Sequence, residues 1–318
     1  MTRGGEIMKR RPDPHGTRRR VDSVKRTFPF PMRGKLFDIV LVAPAVVMFT
    51  LFIVWPAVQT LHTSLFDETS RGGEYIGLRN YRELVQDPVF WIAMKNNTLF
   101  IFTNLVFQVG IGTILAAMID RGIRHFSSAI RTIIFAPLVI APVAIGLIWK
   151  MLLEPNFGLF RQVMDNLGLP FPTQGILGNP DLAFPALVAV GAWNYIGFMM
   201  TIMLAAMQGI SRDIYEAARI DGASAIQTFF HITLPAVRHA LVLCGLIVVV
   251  GSFKTFELVY VLTGGGPGNT TQVLGTHIVE SAFSLFRPNY AASMSVVVLL
   301  IAILFGALQV REHDKERS

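Results

Sequence analysis

The sequence predicts an all-α integral membrane protein with six transmembrane helices. Of its 318 residues, 52% are hydrophobic and 15% are charged, whereas soluble domains carry about 25% charged residues. The charges cluster between long uncharged stretches, as in chains that cross a bilayer repeatedly. Such a crossing takes a helix that spans about 30 Å of hydrocarbon. The segments long enough to do so lie near residues 39–61, 98–119, 132–153, 184–207, 240–262 and 290–310.

The segments differ in how strongly they predict a span. The first begins Ile39-Val40-Leu41-Val42-Ala43, and its 23 apolar residues are too many for a signal peptide core. No small-x-small cleavage site follows it, so we expect a retained helix. The fourth and fifth are weaker because they contain Asn194, and Lys254 with Glu257, respectively. Neighbouring membrane helices can satisfy the carbonyls freed by prolines, which here are Pro44, Pro56, Pro137 and Pro142.

The distribution of Lys and Arg predicts the direction of the spans. If the N-terminal tail is cytoplasmic, the inner segments hold 20 of these residues and the outer segments hold 6. This bias predicts that both termini are inside the cell. The predicted organisation is a basic tail over 1–38, a six-span domain over 39–310 with a cytoplasmic loop at 208–239, and a C-terminal tail over 311–318.

The loop between the fourth and fifth spans predicts two short helices joined at a glycine. Ser211 can cap a helix whose first turn carries Asp213, and both residue types favour a helix N-terminus. Gly222 can adopt the left-handed conformation that ends such a helix. A second helix can start near Ser224 and end before Pro235.

The same loop carries a spaced motif. Glu-Ala-Ala is followed after three residues by Gly, and after nine more by Ile-x-Leu-Pro, in the form Glu216-Ala217-Ala218, Gly222 and Ile232-Thr233-Leu234-Pro235. This pattern resembles the signature of binding-protein-dependent ABC importer permeases. Other stretches resemble the carbohydrate-type (maltose and glycerol-phosphate permease-like) subfamily, and only the basic tail lies outside the likeness. They are Gly77–Tyr81, Asp87-Pro88, Phe90-Trp91, Tyr260–Asn269, Ala282-Phe283 and Tyr290–Ala292.

The resemblance implies the type I importer permease fold in the cell inner (plasma) membrane. It implies that the loop is a coupling helix, docked on a separate ATPase subunit through Glu216, Ala217, Ala218, Asp221 and Gly222. The alternative is an ordinary amphipathic connector. The implied partners are a second homologous permease, two ATP-binding cassette subunits, an extracytoplasmic solute-binding protein and the lipid bilayer. The implied cargo is a sugar or polyol-type solute, with glycerol phosphate also possible.

Two sets of polar and aromatic residues inside the spans are candidates for lining the substrate path. Aromatic faces beside hydrogen-bonding groups suit sugar rings, and transporters commonly bind their cargo near the bilayer midplane. The alternative is that these side chains only pack within the bundle. The candidates are Trp193, Asn194 and Tyr195 in the fourth span and Ser252, Phe253 and Phe256 in the fifth.

The sequence gives little support to a cofactor, metal, nucleic-acid or catalytic site. No G-x-x-x-x-G-K-[ST] motif occurs, and we expect no cofactor. His231 and His239 lack further ligands, so we expect no metal site. We also expect no nucleic-acid partner. We expect that the protein is not an enzyme, because its sequence shows no set of residues that could form a catalytic site. One rival class is an ion-gradient-driven secondary transporter using Lys254 and Glu257, which are three residues apart and can form an ion pair.

Overall fold

The computed structural model of the chain describes residues 35–67, 73–121, 127–253 and 255–315. Within these ranges the chain is helical, and its β-structure is limited to an isolated bridge between Phe66 and Tyr75. Most of the predicted basic tail, residues 1–34, lies outside the described part. The described α-helices are α1 (Lys35–Phe49), α2 (Trp55–Thr63), α3 (Arg79–Gln86), α4 (Pro88–Asn104), α5 (Ile111–Arg121), α6 (Ser127–Val139), α7 (Pro142–Leu152), α8 (Leu159–Asn166), α9 (Pro180–Gln208), α10 (Arg212–Ile220), α11 (Ala225–Thr228), α12 (Leu234–Ala236), α13 (Arg238–Phe253), α14 (Glu257–Leu262), α15 (Leu274–Val279) and α16 (Pro288–Lys315).

Short π-helical turns join several consecutive helices. Each contains five or six residues, and together they let long helical stretches continue through changes of pitch. In the described residues they are Thr50–Val54, Leu105–Gly110, Phe229–Thr233 and Glu280–Ser284.

The described helices agree with the predicted all-α membrane fold. Four stretches are long and apolar enough to cross a membrane unbroken, namely Ile39–Thr63, Pro88–Asp120, Pro180–Gln208 and Pro288–Ala307. Two bent pairs raise the number to six if each is one span. They are Ser128–Val139 with Pro142–Leu152, bent by 98°, and Ala225–Ala236 with Arg238–Phe253, bent by 73°.

The second span begins earlier than predicted, at Pro88 rather than at residue 98. Asp87 caps the helix by accepting a hydrogen bond of 2.8 Å from the backbone N–H of Val89, and Pro88 stands where no N–H is needed. Hydropathy alone did not predict this first part of the helix, because Asn96 and Asn97 are polar.

The third and fifth spans are broken, which the sequence prediction of continuous segments missed. In the third, α6 ends at Val139 and α7 begins at Pro142, whose ring occupies the first helical position after the bend. In the fifth, α13 ends at Phe253 and α14 begins at Glu257. The predicted Lys254–Glu257 ion pair cannot be followed, because residue 254 lies outside the described ranges.

The chain divides into two compact units, Met1–Ile53 and Val54–Ser318. The described part of the first contains α1, whose large apolar side chains from Ile39 onward are exposed. The second contains three buried apolar clusters, each shared by several helices. Their central residues are Met199, Met203 and Cys244 in the first cluster, Phe100, Ile145 and Leu258 in the second, and Leu84, Leu274 and Met294 in the third.

Glycine allows the fourth span to pack closely on the third. A Cβ atom on Gly197 would lie 2.3 Å from the carbonyl oxygen of Ile134 and 2.8 Å from the Cα of Phe135. Small residues at helix interfaces permit such backbone approach in membranes. This contact fixes α9 against α6, and thereby positions the residues of α9 that face the interior.

Candidate functional site

The loop after the fourth span forms a helix with well-defined ends, as predicted. The N–H of Asp213 donates to Ser211 Oγ at 3.3 Å at the start of α10. At its end, Gly222 has a φ of +76°. The N–H of Ala223 donates to the carbonyl of Ala218, and that of Gly222 to the carbonyl of Arg219, at 2.9 and 3.2 Å. This pair of bonds is the Schellman stop, which requires a left-handed residue.

The second helix of the loop starts where predicted but does not end before Pro235. Ser224 and Gln227 form a reciprocal capping box at the start of α11. A π-helical turn over Phe229–Thr233 then leads into α12, which contains Pro235. The proline is accommodated because it lies at the beginning of a new helical segment, where its missing N–H costs nothing.

The helix α10 has two different faces. On the inner face Ala218 is 7% exposed, and the hydroxyl of Tyr215 lies 3.3 Å from that of Thr233. On the outer face Glu216 and Ala217 are exposed. Large apolar side chains of this loop are also left uncovered, namely Ile214, Ile220, Ile226 and Phe230, with Ile220 exposed to 85%.

A cavity of about 330 Å³ lies inside the bundle, between the first and second apolar clusters. Residues of α4, α9, α13 and α14 form most of its wall. Aromatic rings of Phe100, Tyr195 and Phe256 and the carboxylate of Glu257 line it. The size falls within the range of small-molecule sites.

Three buried polar atoms of the cavity wall have no hydrogen-bond partner among the residues that the structure describes. They are Asn104 Oδ1, Asn194 Oδ1 and Ser252 Oγ. Each belongs to a residue that is at most 6% exposed. Buried polar groups are nearly always paired, and leaving one unpaired costs about 1–3 kcal/mol. Three such groups around one cavity therefore indicate a place for a ligand or water that supplies the missing bonds.

The structure brings together four of the six predicted path residues. Asn194, Tyr195, Ser252 and Phe256 line the cavity. The other two, Trp193 and Phe253, do not line it. Trp193 packs edge-on against Trp149, with ring centroids 5.6 Å apart, and Phe253 packs against the third apolar cluster.

Sequence analysis missed other polar residues of the wall. Asn104 and Gln108 are four residues apart and lie on one face of the second span. Gln108 Nε2 donates to the carbonyl of Gly191 at 3.3 Å, which ties this span to the fourth. Two carboxamides at helical spacing in an apolar segment were the signal that could have found them.

Two asparagines of the second span hold the turn that follows α14. Asn96 Nδ2 donates to the carbonyls of Thr270 and Gln272, at 2.9 and 2.8 Å. Asn97 Nδ2 donates to the carbonyl of Ser252 at 2.7 Å, and its Oδ1 accepts from the N–H of Leu274 at 2.8 Å. Asn97 thus fixes the backbone that presents Ser252 to the cavity.

A polar network surrounds Asp87 just before the second span. Its Oδ2 accepts a hydrogen bond from Tyr290 at 2.7 Å and lies 2.9 Å from His277 Nε2. Burial opposes ionisation of Asp87, but the bonds with Tyr290, His277 and the N–H of Val89 outweigh it. The pKa of Asp87 consequently lies below its ordinary value of 3.8.

The described side chains do not assemble a metal centre. Within the ranges that the structure covers, no group of three or more His, Cys, Asp or Glu residues could hold an ion. The cavity offers carboxamide, hydroxyl and aromatic groups beside the carboxylate of Glu257, and such groups can bind a polar solute.

Comparison with known proteins identifies relatives along most of the chain. Residues 108–311 match the family described as binding-protein-dependent transport system inner membrane component. The probable ABC transporter permease protein YurN of Bacillus subtilis is 36% identical over 88% of this chain and 96% of its own length. The lactose transport system permease protein LacF of Rhizobium radiobacter is 32% identical, over 90% of this chain and 95% of its own.

A solved structure has the same fold. It is a chain of a bacterial alginate ABC transporter crystallised in complex with an alginate pentasaccharide-bound periplasmic protein. The TM-score is 0.76 with 23% sequence identity, over 85% of this chain and 91% of that one. At this identity the likeness concerns the fold.

Proposed function

Since the chain belongs to the family of binding-protein-dependent transport system inner membrane components, and is therefore a permease subunit of an ABC importer, we propose that it carries a neutral sugar or polyol-type solute through the cavity between α4, α9 and α13. A permease subunit of this kind is a multi-pass inner membrane protein and not an enzyme. The rival class of ion-gradient-driven transporter has no support among the relatives.

The observation that carries the proposed cargo is the set of unpaired polar atoms in the cavity. Asn104, Asn194 and Ser252 each present an oxygen without a partner in the described part of the chain. A polyhydroxyl solute supplies O–H donors for such oxygens, and the rings of Tyr195 and Phe256 suit the apolar faces of a sugar. A relative supports this class, since the permease LacF is named for the transport of lactose.

The charge of the cavity favours a neutral cargo over a sugar or glycerol phosphate. No described residue of its wall is cationic, and Glu257 places a carboxylate there. Beside that carboxylate a phosphate group would lose water and meet a like charge.

The cargo site is tested by measuring the uptake of the solute into vesicles that contain the whole transporter. The permease carries either Asn194→Leu or Ser252→Ala. Each removes about one hydrogen bond to the cargo, which is worth roughly 3–10-fold in apparent affinity. Folding stability should not fall, because the lost oxygens have no protein partner. Ser295→Ala is the matched control, since its hydroxyl bonds within the sixth span and lies outside the cavity. Normal uptake in both cavity variants would contradict the proposal.

The exposed face of α10 is the proposed docking surface for the ATPase subunit. Glu216 and Ala217 stand on it, and Ala218 buries the opposite side against the bundle. Asp221 and Gly222 shape the stop, because the φ of +76° at Gly222 turns the chain sharply after the helix. The uncovered Ile214, Ile220, Ile226 and Phe230 form an apolar rim that a partner can cover.

The double variant Glu216→Ala/Gly222→Ala tests docking. The ATPase should no longer purify with the permease, and ATP-dependent uptake should stop, while insertion in the membrane remains. Gly168→Ala is a matched control because Gly168 also has a positive φ, +67°, and open space around its Cα. Glu74→Gln controls for loss of an exposed carboxylate. Unchanged ATP-dependent uptake in the double variant would refute the coupling role.

The proposed assembly contains a second homologous permease, two ATPase subunits and an external solute-binding protein. It is supported by the family, whose members are binding-protein-dependent, and by the alginate ABC transporter of the same fold, which was crystallised with a periplasmic protein. Both termini are proposed to be cytoplasmic, supported by the ratio of 20 to 6 basic residues. The mass of the purified complex and the activity of C-terminal reporter fusions test the two statements, and a periplasmic C-terminus would overturn the topology.

A further inference from the structure

A second and larger cavity, of about 660 Å³, lies between α10 and the ends of α5, α6 and α9. It is separate from the proposed cargo cavity, with which it shares no lining residue. The proposed topology assigns it to the cytoplasmic side of the bundle.

The wall of this cavity is basic. Arg131, Arg212 and Arg219 line it, against a single described carboxylate, Asp120. Arg212 and Arg219 are seven residues apart on α10, which is two helical turns, so both point from the same face. Neither forms an ion pair with any residue in the described ranges. Two guanidinium groups two helical turns apart on one wall favour an anion.

The height of the cavity relates it to the membrane surface. Asp120 and Gln208, both in its wall, are the last residues of two membrane-spanning helices. Apolar groups such as Leu204 and Met207 form the wall on the side of the spans. The cavity therefore runs from apolar to cationic across the level at which a bilayer carries its phosphates.

From these observations we infer that the cavity binds the phosphate group of an anionic phospholipid headgroup. The guanidinium groups of Arg212 and Arg219 donate to phosphate oxygens, a pairing that arginine makes with two parallel bonds. Basic pockets between membrane helices on the cytoplasmic side bind lipid headgroups in this way. The volume of 660 Å³ exceeds what one phosphate ion fills and leaves room for a glycerol stem.

The site is distinct from the proposed ATPase surface. Arg212, Tyr215 and Arg219 face the cavity, whereas Glu216 and Ala217 stand on the exposed side of α10. A headgroup bound behind the helix holds α10 against the bundle while its other face stays free.

The test measures lipid retention by the full-length permease in nanodiscs of phosphatidylcholine with a varied fraction of phosphatidylglycerol. Native mass spectrometry counts the phosphatidylglycerol that stays bound. Each arginine near an anionic headgroup is worth about fivefold in binding, so Arg212→Gln/Arg219→Gln should weaken retention by roughly 30-fold. Arg212→Lys/Arg219→Lys keeps the charges and should lose less than the glutamine pair, which separates lost binding from misfolding.

Arg238→Gln is the matched control, because Arg238 is exposed in the same loop region but lies outside the cavity wall. It should retain phosphatidylglycerol like the wild type. A second arm titrates inorganic phosphate in phosphatidylcholine alone. Phosphate binding that needs the two arginines, without lipid retention, would support the phosphate site but overturn the lipid as its source. Equal phosphatidylglycerol retention in wild type and the glutamine pair, with no effect of phosphate, would overturn the site.

Discussion

Replacing Gly197 by alanine tests whether the fourth span packs on the third as closely as the structure has it. The added Cβ would lie 2.3 Å from the carbonyl oxygen of Ile134, and real Cβ atoms essentially never come closer than 3.0 Å to such an atom. Because the clashing atoms belong to the backbone, no change of rotamer relieves them. The helices α6 and α9 must therefore separate locally, and such overpacking costs about 1–3 kcal/mol of unfolding free energy.

The single cysteine provides the assay. Cys244 is completely buried in the first apolar cluster, which also contains Met199 and Met200 of α9. A thiol-reactive dye therefore labels the chain only when this cluster opens on heating. With roughly 2–4 °C per kcal/mol, the midpoint of labelling should fall by about 2–12 °C in Gly197→Ala.

Gly306→Ala is the matched control within a helix. No heavy atom lies within 4 Å of its added Cβ, so its midpoint should stay unchanged or rise, since alanine favours a helix over glycine by about 1 kcal/mol. A wild-type midpoint for Gly197→Ala would mean that α6 and α9 are further apart than described. An equal loss of stability in both variants would mean that any added methyl group destabilises the bundle. The short distance at Gly197 would then not be the cause of the loss.

Three further changes have expected outcomes on stability, read by the same labelling or, where the pH is varied, by the loss of helical circular dichroism on heating. Asn97→Leu should cost about 2–5 kcal/mol, because it leaves a buried carbonyl and a buried N–H unpaired, whereas the exposed neighbour Thr98→Val should cost under about 0.5 kcal/mol. Asp87 has a lowered pKa, so its stabilising effect is present above pH 3.8 and is lost as the pH falls below it. In Asp87→Asn the stability should therefore fall less steeply between neutral and acid pH. Parallel plots of stability against pH for the variant and the wild type would contradict this prediction. Arg287→Gln should cost at most about 1 kcal/mol, since its two-bond pair with Glu83, at 2.7 and 2.9 Å, is solvent-exposed, and a larger loss would assign it a further role.

Hydropathy and local rules predicted the parts of the fold that depend on nearby residues. The apolar segments coincide with helices because a bilayer span needs about 20 apolar residues wherever it lies. The helix from Arg212 to Ile220 was predictable because its cap at Ser211 and its stop at Gly222 are set by the residues themselves.

The parts that depend on packing were not predictable in the same way. Successive helical residues point about 100° apart, so Trp193, Asn194 and Tyr195 cannot all face one cavity. Which of them do so depends on the rotation of α9 against its neighbours, among them α6, on which Gly197 packs closely. The late start assigned to the second span has a similar origin, because Asn96 and Asn97 look unsuited to a membrane until their bonds to a distant turn are known.

The same two asparagines restrict how the end of the bundle that the proposed topology places outside the cell can move. Together they make four hydrogen bonds to backbone atoms of residues 252–274, so parting these segments would break all four at once. In any rearrangement that admits cargo from outside, the second span and this turn must move together as one rigid body. The hinge of that movement must lie in another part of the chain. A covalent cross-link across their junction should consequently leave turnover intact, in contrast to one placed between bodies that swing apart.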